Sequence, residues 1–443
     1  MSLQRKLSPV VTGVLTSPAR RRLARRAREL RRRVRGGVHR VEYFHQVDDP
    51  YAQLVAPLLE RFALRYDVEL VPVLVGPPDD ASAPERERLV AYSRRDAADV
   101  APYYGVAFRD PGAQPPRELV ALANAILVAN LGADRFAAMA AAVGESMWAG
   151  DAGALTAIAQ EYGAVDPDTV RRACEAGDAR RERLGHYLGA TFHYEGEWYW
   201  GIERLAYLEE RLEELGALRA GARPGERVVA RRLPAPAPPA RPGGELTLEF
   251  FASLRSPYTA ISFGPVYDLV DRTGVRLVLR PVLPMVMRGL PVPRAKRIYI
   301  MLDTKREAER LGVPFGVAAD PIGRPVELGF SLYPFAREKG RAREYLHAFA
   351  HLAFSQGVDM GTEKGLAQAC ERAGLRWEEA RPHLGDESWR PELEANRKEL
   401  LAMGLWGVPS FRLSGPEGAE PFCTWGQDRL WLVEERIRER LAQ

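Results

Sequence analysis

The residues best suited to chemistry in this chain are Ser256-Pro257-Tyr258, the run Gly407-Val408-Pro409-Ser410, and Trp425-Gly426-Gln427-Asp428-Arg429. Serine before proline opens a helix: the hydroxyl caps the first turn, and proline has no N–H to leave unpaired there. A hydroxyl at that place, backed by the positive end of the helix dipole, can stabilise an anion set against it. Cations able to meet a carboxylate follow in Arg288, Lys296 and Arg297, and Tyr299 lies one predicted helical turn from both Lys296 and Asp303. Met285 and Met287 either line an apolar pocket or fill core. The three cysteines, Cys174, Cys370 and Cys423, are scattered, with no Cys-x-x-Cys anywhere. That excludes both a disulfide framework and dithiol redox chemistry; Cys423 is expected to be buried.

Strands and helices must bring these groups together. Leu248 to Phe251 reads as a strand leading to the serine-capped helix, and Val275 to Pro281 as a second strand. The Gly-Val-Pro turn then feeds a strand through Phe411 and Leu413, a hairpin at Ser414-Gly415-Pro416-Glu417-Gly418, a further strand and a final amphipathic helix. The same start occurs earlier. Val41-Glu42-Tyr43-Phe44 through Asp49-Pro50-Tyr51 superposes without gaps on Leu248-Glu249-Phe250-Phe251 through Ser256-Pro257-Tyr258, and Trp200 to Leu205 matches Trp425 to Leu430. Between start and end, each copy carries a helical stretch, roughly 116–185 and 293–402.

In these residues the chain resembles the DsbA-like thioredoxin superfamily, and within it the 2-hydroxychromene-2-carboxylate isomerases and kappa-class glutathione transferases. The resemblance implies an α/β chain of two thioredoxin-like domains in tandem, each with an all-helical insertion of the DsbA kind. The domains expected are 41–221 and 246–443, with a basic helical arm over 1–40 and a proline-rich linker over 222–245. Ser256 falls where thioredoxins keep their nucleophilic cysteine, so its implied role is to hold the thiolate of glutathione. By the same resemblance Pro409 follows a cis bond, leaving the Val408 N–H and C=O unpaired and turned toward the ligand. Pro257, Tyr258, Asp428 and Arg429 match positions around the tripeptide, the last two at its charged glutamyl end. One departure stands out: the asparagine that the family has after its second strand is missing from Val282 to Pro293.

In the first copy Asp49 replaces Ser256 and Ala190 replaces Pro409. A carboxylate there repels a thiolate, so this copy is expected to have lost the site and to act as an internal partner in a covalent pseudo-dimer.

The expected activity is that of a glutathione-dependent isomerase acting on an unsaturated, aromatic 2-oxo acid, with glutathione as cosubstrate and no metal. A kappa-type transferase and a non-catalytic peptide-binding scaffold are the alternatives. His347 and His351, four apart, have no third ligand spaced for zinc and read as packing residues; adjacent Asp48 and Asp49 read as a loop cap. No phosphate loop or dinucleotide fingerprint occurs. No stretch resembles a membrane span or a signal peptide, which points to the cytoplasm.

Charge is uneven. Residues 1–40 hold twelve arginines and Lys6 against Glu29, a net of +12 in a chain of net +4, so the body is acidic. Ser17-Pro18 starts a helix in this arm and Gly36-Gly37 stops it, with Leu23, Ala27, Leu30 and Val34 along one face. The stripe is expected to dock on the protein while the arginines stay solvated. An anionic membrane surface is the alternative, ahead of nucleic acid, because no aromatic residues interleave to stack bases.

Overall fold

A computed structural model describes residues 3–235, 243–416 and 419–442. Two compact units result: Leu23–Arg232, and Met1–Arg22 together with Leu233–Gln443. In the first, β1 (His39–His45), α3 (Pro50–Val55), α4 (Leu59–Arg65) and β2 (Val68–Leu74) are followed by α5 (Arg86–Val100), α6 (Arg117–Ala129), α7 (Ala133–Trp148), α8 (Ala152–Tyr162) and α9 (Pro167–Arg183). The chain then returns through β3 (Thr191–Tyr194), β4 (Glu197–Trp200) and α10 (Gly201–Glu214). The second unit repeats the plan with β5 (Thr247–Ala252), α11 (Pro257–Thr273) and β6 (Arg276–Pro281). Its insertion is α12 (Arg294–Leu311), α13 (Arg324–Ser331), α14 (Tyr333–Glu338), α15 (Ala342–Ser355), α16 (Glu363–Arg372), α17 (Trp377–Ala380) and α18 (Arg390–Ala402). It closes with β7 (Ser410–Ser414), β8 (Phe422–Trp425) and α19 (Leu430–Ala442). The helical stretch of the first copy therefore begins at Arg86, well before the expected 116.

Both sheets have one order, β2-β1-β3-β4 and β6-β5-β7-β8, with the first pair parallel and the other two antiparallel. The parallel pair is joined through a helix, as a parallel connection demands. β1 and β5 are central strands covered on both faces, so their residues are apolar without alternation: Val41, Tyr43 and Phe44 in one, Leu248, Phe250 and Phe251 in the other, are all fully buried. Phe250 stacks on Phe411 across β5 and β7, with ring centroids 5.4 Å apart, and Phe263 of α11 meets it edge-on.

The correspondence extends to polar details. Glu42 sits opposite His193 across β1 and β3, and Glu249 opposite Arg412 across β5 and β7. Each buried carboxylate bonds the base facing it and one further arginine, Arg180 or Arg280. Desolvation opposes the charge on Glu42, but His193 and Arg180 hold its carboxyl down at about 2.

The expected linker 222–245 is only partly a spacer. Glu209 accepts the Val228 and Val229 N–H groups (2.7 and 3.1 Å), and Arg227 and Arg231 both reach Glu210 at 2.7 Å. This stretch is fastened to the first unit as far as Arg232; residues 236–242, which hold most of the proline run, lie outside the described residues, as do Glu417 and Gly418 of the expected hairpin.

The arm departs from expectation. It is two helices, α1 (Leu3–Leu15) and α2 (Pro18–Val34), assigned mainly to different units. In α1, hydroxyls do the docking: Ser8 donates to the Ala318 carbonyl and Thr16 to the Gly316 carbonyl (2.8 and 3.0 Å), while Val10, Val11 and Val14 are exposed. In α2 the expected docking is reversed. Leu23, Leu30 and Val34 face solvent, and the side turned inward carries arginines. Among the described residues no helix is long and apolar enough to cross a membrane.

Candidate functional site

Ser256 has extended backbone at the N-cap of α11, and its Oγ accepts the Thr259 N–H at 3.2 Å with Pro257 at the first helical position. The same Oγ donates to the Val408 carbonyl at 3.1 Å. This corrects the expectation of an unpaired Val408: its carbonyl is occupied by the serine hydroxyl. Its N–H has no hydrogen-bond partner among the described residues. The Val408–Pro409 peptide bond is cis.

The surroundings of that turn are tight. Ser410 Oγ donates to the Gly407 carbonyl at 2.9 Å, and the Gly426 N–H donates to the Pro409 carbonyl at 2.9 Å. Trp425 packs so closely on Gly407 that a β-carbon there would stand 2.2 Å from its ring. Glycine at 407 is required by that approach, not by its backbone angle. Trp406 meets Trp425 with ring centroids 4.9 Å apart.

Tyr258, in the first turn of α11, donates its hydroxyl to Asp303 Oδ2 on α12 at 2.8 Å. Asp303 is buried, and Arg306 stands 3.5 Å from it. One turn further along α12, buried Glu307 accepts from Gln427 Nε2 at 2.7 Å and pairs with Arg310 at 2.6 Å. These two acid–arginine pairs tie α12 both to the capped end of α11 and to the 3-10 turn Gln427–Arg429. Sequence reasoning missed Asp303 and Glu307 as organisers. The signal was present: Asp303/Arg306 and Glu307/Arg310 are consecutive i,i+3 pairs, and Asp303 and Glu307 share a face.

The other candidates fall into three situations. Lys296 and Tyr299 share a face of α12 with Asp303; Tyr299 is buried, and Lys296 is half-buried, two turns or about 10 Å along the axis from Asp303. Burial pulls the Lys296 ammonium down to about 8. Arg288 donates to the Trp406 carbonyl at 2.7 Å, which fastens its loop to the residue before Gly407. Asp428 and Arg429 precede α19 rather than opening it; Arg429 is buried with its guanidinium against Asp428, and Asp428 is half-buried. Of the methionines, Met287 packs on the apolar core of this unit. Buried Asn396 of α18 donates to the Pro281 carbonyl at 2.9 Å, where β6 ends, and does not supply the asparagine that the loop after β6 lacks.

In the first unit the matching places are filled differently. Asp49 caps α3 by accepting the Tyr51 N–H at 2.9 Å. Desolvation, with Asp48 adding its charge, pushes the Asp49 carboxyl up to about 7. Ala190 is fully buried with a φ of +50°, and its carbonyl accepts the Gly201 N–H at 2.8 Å, as Pro409 does from Gly426. Tyr51 donates to Asp96 of α5 at 2.7 Å, and 45 residues separate that pair just as they separate Tyr258 from Asp303. The tyrosine–aspartate clamp is thus common to both units, whereas the serine is not.

Among the described residues no group of three or more His, Cys, Asp or Glu side chains is gathered as a metal site requires. His347 and His351 pack ring to ring, with His347 against Phe263 and Tyr267, and burial lowers both. None of the three cysteines is in a disulfide; Cys370 is buried and its thiol pushed up to about 12, whereas Cys423 is only half-buried, contrary to expectation.

A family model described as a DSBA-like thioredoxin domain matches residues 247–438. No curated protein matches the chain. Among solved structures, a 2-hydroxychromene-2-carboxylate isomerase is similar over 44% of this chain and 96% of that one, at 18% identity and a TM-score of 0.37. The cytosolic disulfide reductase DsbM from Pseudomonas aeruginosa is similar over 44% and 97%, at 17% identity and a TM-score of 0.33.

Proposed function

Residues 247–438 being a DsbA-like thioredoxin domain, we propose that the chain is a glutathione-dependent isomerase of the 2-hydroxychromene-2-carboxylate isomerase type. Its substrate would be an unsaturated, aromatic 2-oxo acid. The reading rests on one observation: where a dithiol enzyme of this fold keeps a cysteine, a serine hydroxyl stands at a helix N-cap, 3.1 Å from the Val408 carbonyl. No cysteine lies nearby in sequence to resolve a mixed disulfide.

In this proposal glutathione docks along Val408. The Val408 N–H donates to the tripeptide, and a tripeptide N–H replaces the Ser256 hydroxyl at the Val408 carbonyl. That exchange frees Ser256 Oγ–H to donate to sulfur, and together with the α11 N-terminus it favours the thiolate; the thiol proton passes to water. The thiolate adds to the carbon β to the substrate's ketone, and the displaced π electrons come to rest on the ketone oxygen as an enolate. The former double bond, now single, rotates. Collapse of the enolate re-forms the double bond in the other geometry and expels the thiolate, so glutathione is not consumed.

Lys296 is assigned to the substrate carboxylate, as a half-buried cation on the face of α12 that also carries Tyr299 and Asp303. Tyr299 and Arg288 flank this region in sequence; Arg288 acts by holding its loop on Trp406. Pro257, Tyr258 and Pro409 shape the turn, and Asp428 with Arg429 receives the glutamyl end. If the adduct leaves as product, the same site is a kappa-type transferase. The first domain serves as an internal packing partner, and a scattering profile of two separate modules would count against that. Glutathione chemistry with three cysteines outside any disulfide calls for a reducing compartment, the cytoplasm.

One observation favours a non-catalytic peptide-binding scaffold: both hydrogen bonds of Ser256 are already made within the protein. Titrating glutathione while following thiolate absorbance in the ultraviolet separates the two. Thiolate at neutral pH in wild type and Asp49→Ala, and none in Ser256→Ala, is the expected result. Glutathione binding unaffected by Ser256→Ala supports the scaffold, and no binding by any of the three overturns the isomerase reading and leaves the scaffold with a different ligand.

A further inference from the structure

Helix α2 is turned inside out. Its inward face is built from Arg25, Arg28 and Arg32, spaced i, i+3, i+7. Arg25 makes two parallel hydrogen bonds of 2.7 Å to Glu197, Arg28 lies against Gly196 so closely that a β-carbon there would touch its guanidinium at 2.5 Å, and Arg32 bonds Glu29 and the Gly37 carbonyl. Diametrically opposite run Leu23, Ala27, Leu30 and Val34, spaced i, i+4, i+7, i+11. The three large ones are 68%, 64% and 79% exposed. The bidentate Arg25 pair fixes which face points inward, so the stripe cannot roll into the body without breaking it.

Such a row is not a random scatter of surface leucines. Arg26 and Arg33 border it on one side of the helix, Arg31 and Arg35 on the other, and all four are exposed. Arg33 shares Glu29 with Arg32; the remaining three make no ion pair among the described residues. A narrow apolar ridge between two rows of guanidinium groups has the cross-section of a helix lying in a bilayer interface. The ridge enters the headgroup–acyl boundary and the long side chains reach outward to phosphate. The absence of aromatic residues disfavours stacking on nucleic acid bases, and the dense positive charge disfavours pairing with a second copy of the same helix.

We propose that α2 from Leu23 to Val34 is a membrane-surface anchor: it lies flat on an anionic lipid bilayer, with Leu23, Ala27, Leu30 and Val34 inserted and Arg26, Arg31, Arg33 and Arg35 on lipid phosphates. The binding is reversible, since one short stripe cannot hold a protein permanently. It is independent of any thiol chemistry in the second unit.

The test is co-sedimentation of the full chain with large vesicles of phosphatidylcholine alone or with about one-third phosphatidylglycerol, at about 0.1 M and about 0.5 M salt. Two triple variants are compared: Leu23→Asn with Leu30→Asn and Val34→Asn, and Arg26→Gln with Arg31→Gln and Arg35→Gln. None of these residues touches the inward face, and circular dichroism melting is expected to match wild type. Wild type is expected to sediment with anionic vesicles only and to be released by high salt; each triple variant loses about tenfold or more in apparent affinity. Equal binding to neutral and anionic vesicles, no binding to either, or an asparagine variant that binds as wild type would overturn the proposal. So would retention of a DNA or RNA oligonucleotide that needs the arginines and ignores the leucines, without vesicle binding. Loss of a wild-type dimer in the asparagine variant, again without vesicle binding, would assign the stripe to a second copy instead.

Discussion

Asp49→Asn tests whether the carboxyl that caps α3 in the first unit is held neutral by its surroundings. The Asp49 carboxyl is pushed from its ordinary 3.8 up to about 7, first by desolvation and then by Asp48. Below about pH 4 the group is protonated both folded and unfolded and costs nothing. Between 4 and 7 the folded protein holds a proton that the unfolded chain has released, so stability falls as pH rises through this window; above 7 the loss is complete. Three pKa units correspond to about 4 kcal/mol, and because Asp49 keeps some solvent exposure, about 2 kcal/mol is the fair expectation. Asparagine retains the oxygen that caps the Tyr51 N–H, so the helix start is preserved. Urea unfolding of wild type and variant at pH 4, 5.5 and 8 cancels every other titrating group in the difference. The variant is expected to equal wild type at about pH 4 and to exceed it by about 2 kcal/mol at pH 8. A difference that does not change with pH, or a variant less stable at pH 8, would refute the account.

Lys296→Met follows the opposite sign: burial holds the folded ammonium at about 8 against an ordinary 10.5, so wild type carries its penalty below pH 8 and regains stability as pH rises from 8 through 10.5. The variant should be more stable by about 1–3 kcal/mol at pH 7 and lose that advantage by about pH 11, checked by urea unfolding at both; an advantage independent of pH would count against the burial of Lys296. Gly407→Ala places a methyl group 2.2 Å from the Trp425 ring, which should cost about 1–3 kcal/mol and change tryptophan emission; wild-type stability and spectrum would contradict the packing. Ala190 has φ +50°, out of reach of proline near −65°, so Ala190→Pro should cost about 3 kcal/mol or more, whereas Ala190→Gly should be neutral or stabilising by up to about 1 kcal/mol; thermal melting orders the three.

What the sequence made legible was whatever is written locally. The strand at Leu248, the serine cap and the Trp-Gly ending are short signals, and their recurrence at Val41, Asp49 and Trp200 announced two units of one topology. Pairings through space were out of reach. Nothing local indicates that the Ser256 hydroxyl meets the carbonyl of Val408, 152 residues on, or that Asn396 of α18 bonds the Pro281 carbonyl at the end of β6. The arm was misread for a different reason. Apolar stripes usually face inward, but α2 is positioned by Arg25 on Glu197, and one bidentate partly buried ion pair decides its orientation against that tendency.

The two units also serve as controls for each other. A feature present in both cannot belong to chemistry performed by one: the tyrosine–aspartate clamps Tyr51–Asp96 and Tyr258–Asp303, the buried Glu42 and Glu249 facing bases across the sheet, and the glycine N–H on the carbonyl of Ala190 or Pro409 all maintain the fold. Tyr258 therefore has a structural task in fastening α12, beside whatever part it takes in the proposed tripeptide site. Subtracting these leaves a short set that the second unit has alone. Ser256 stands where the first has Asp49, Pro409 where it has Ala190, and Lys296, two turns before the clamp aspartate, where it has Leu89. Each replacement changes the chemistry at its place: a hydroxyl to a carboxylate, a proline after a cis bond to an alanine at φ +50°, an ammonium to a leucine. The first unit keeps the same sheet order, clamp and helical insertion without them, so the topology does not depend on Ser256, Pro409 or Lys296, and in the proposed glutathione site these are the residues that would meet the thiol, the peptide backbone and the substrate carboxylate.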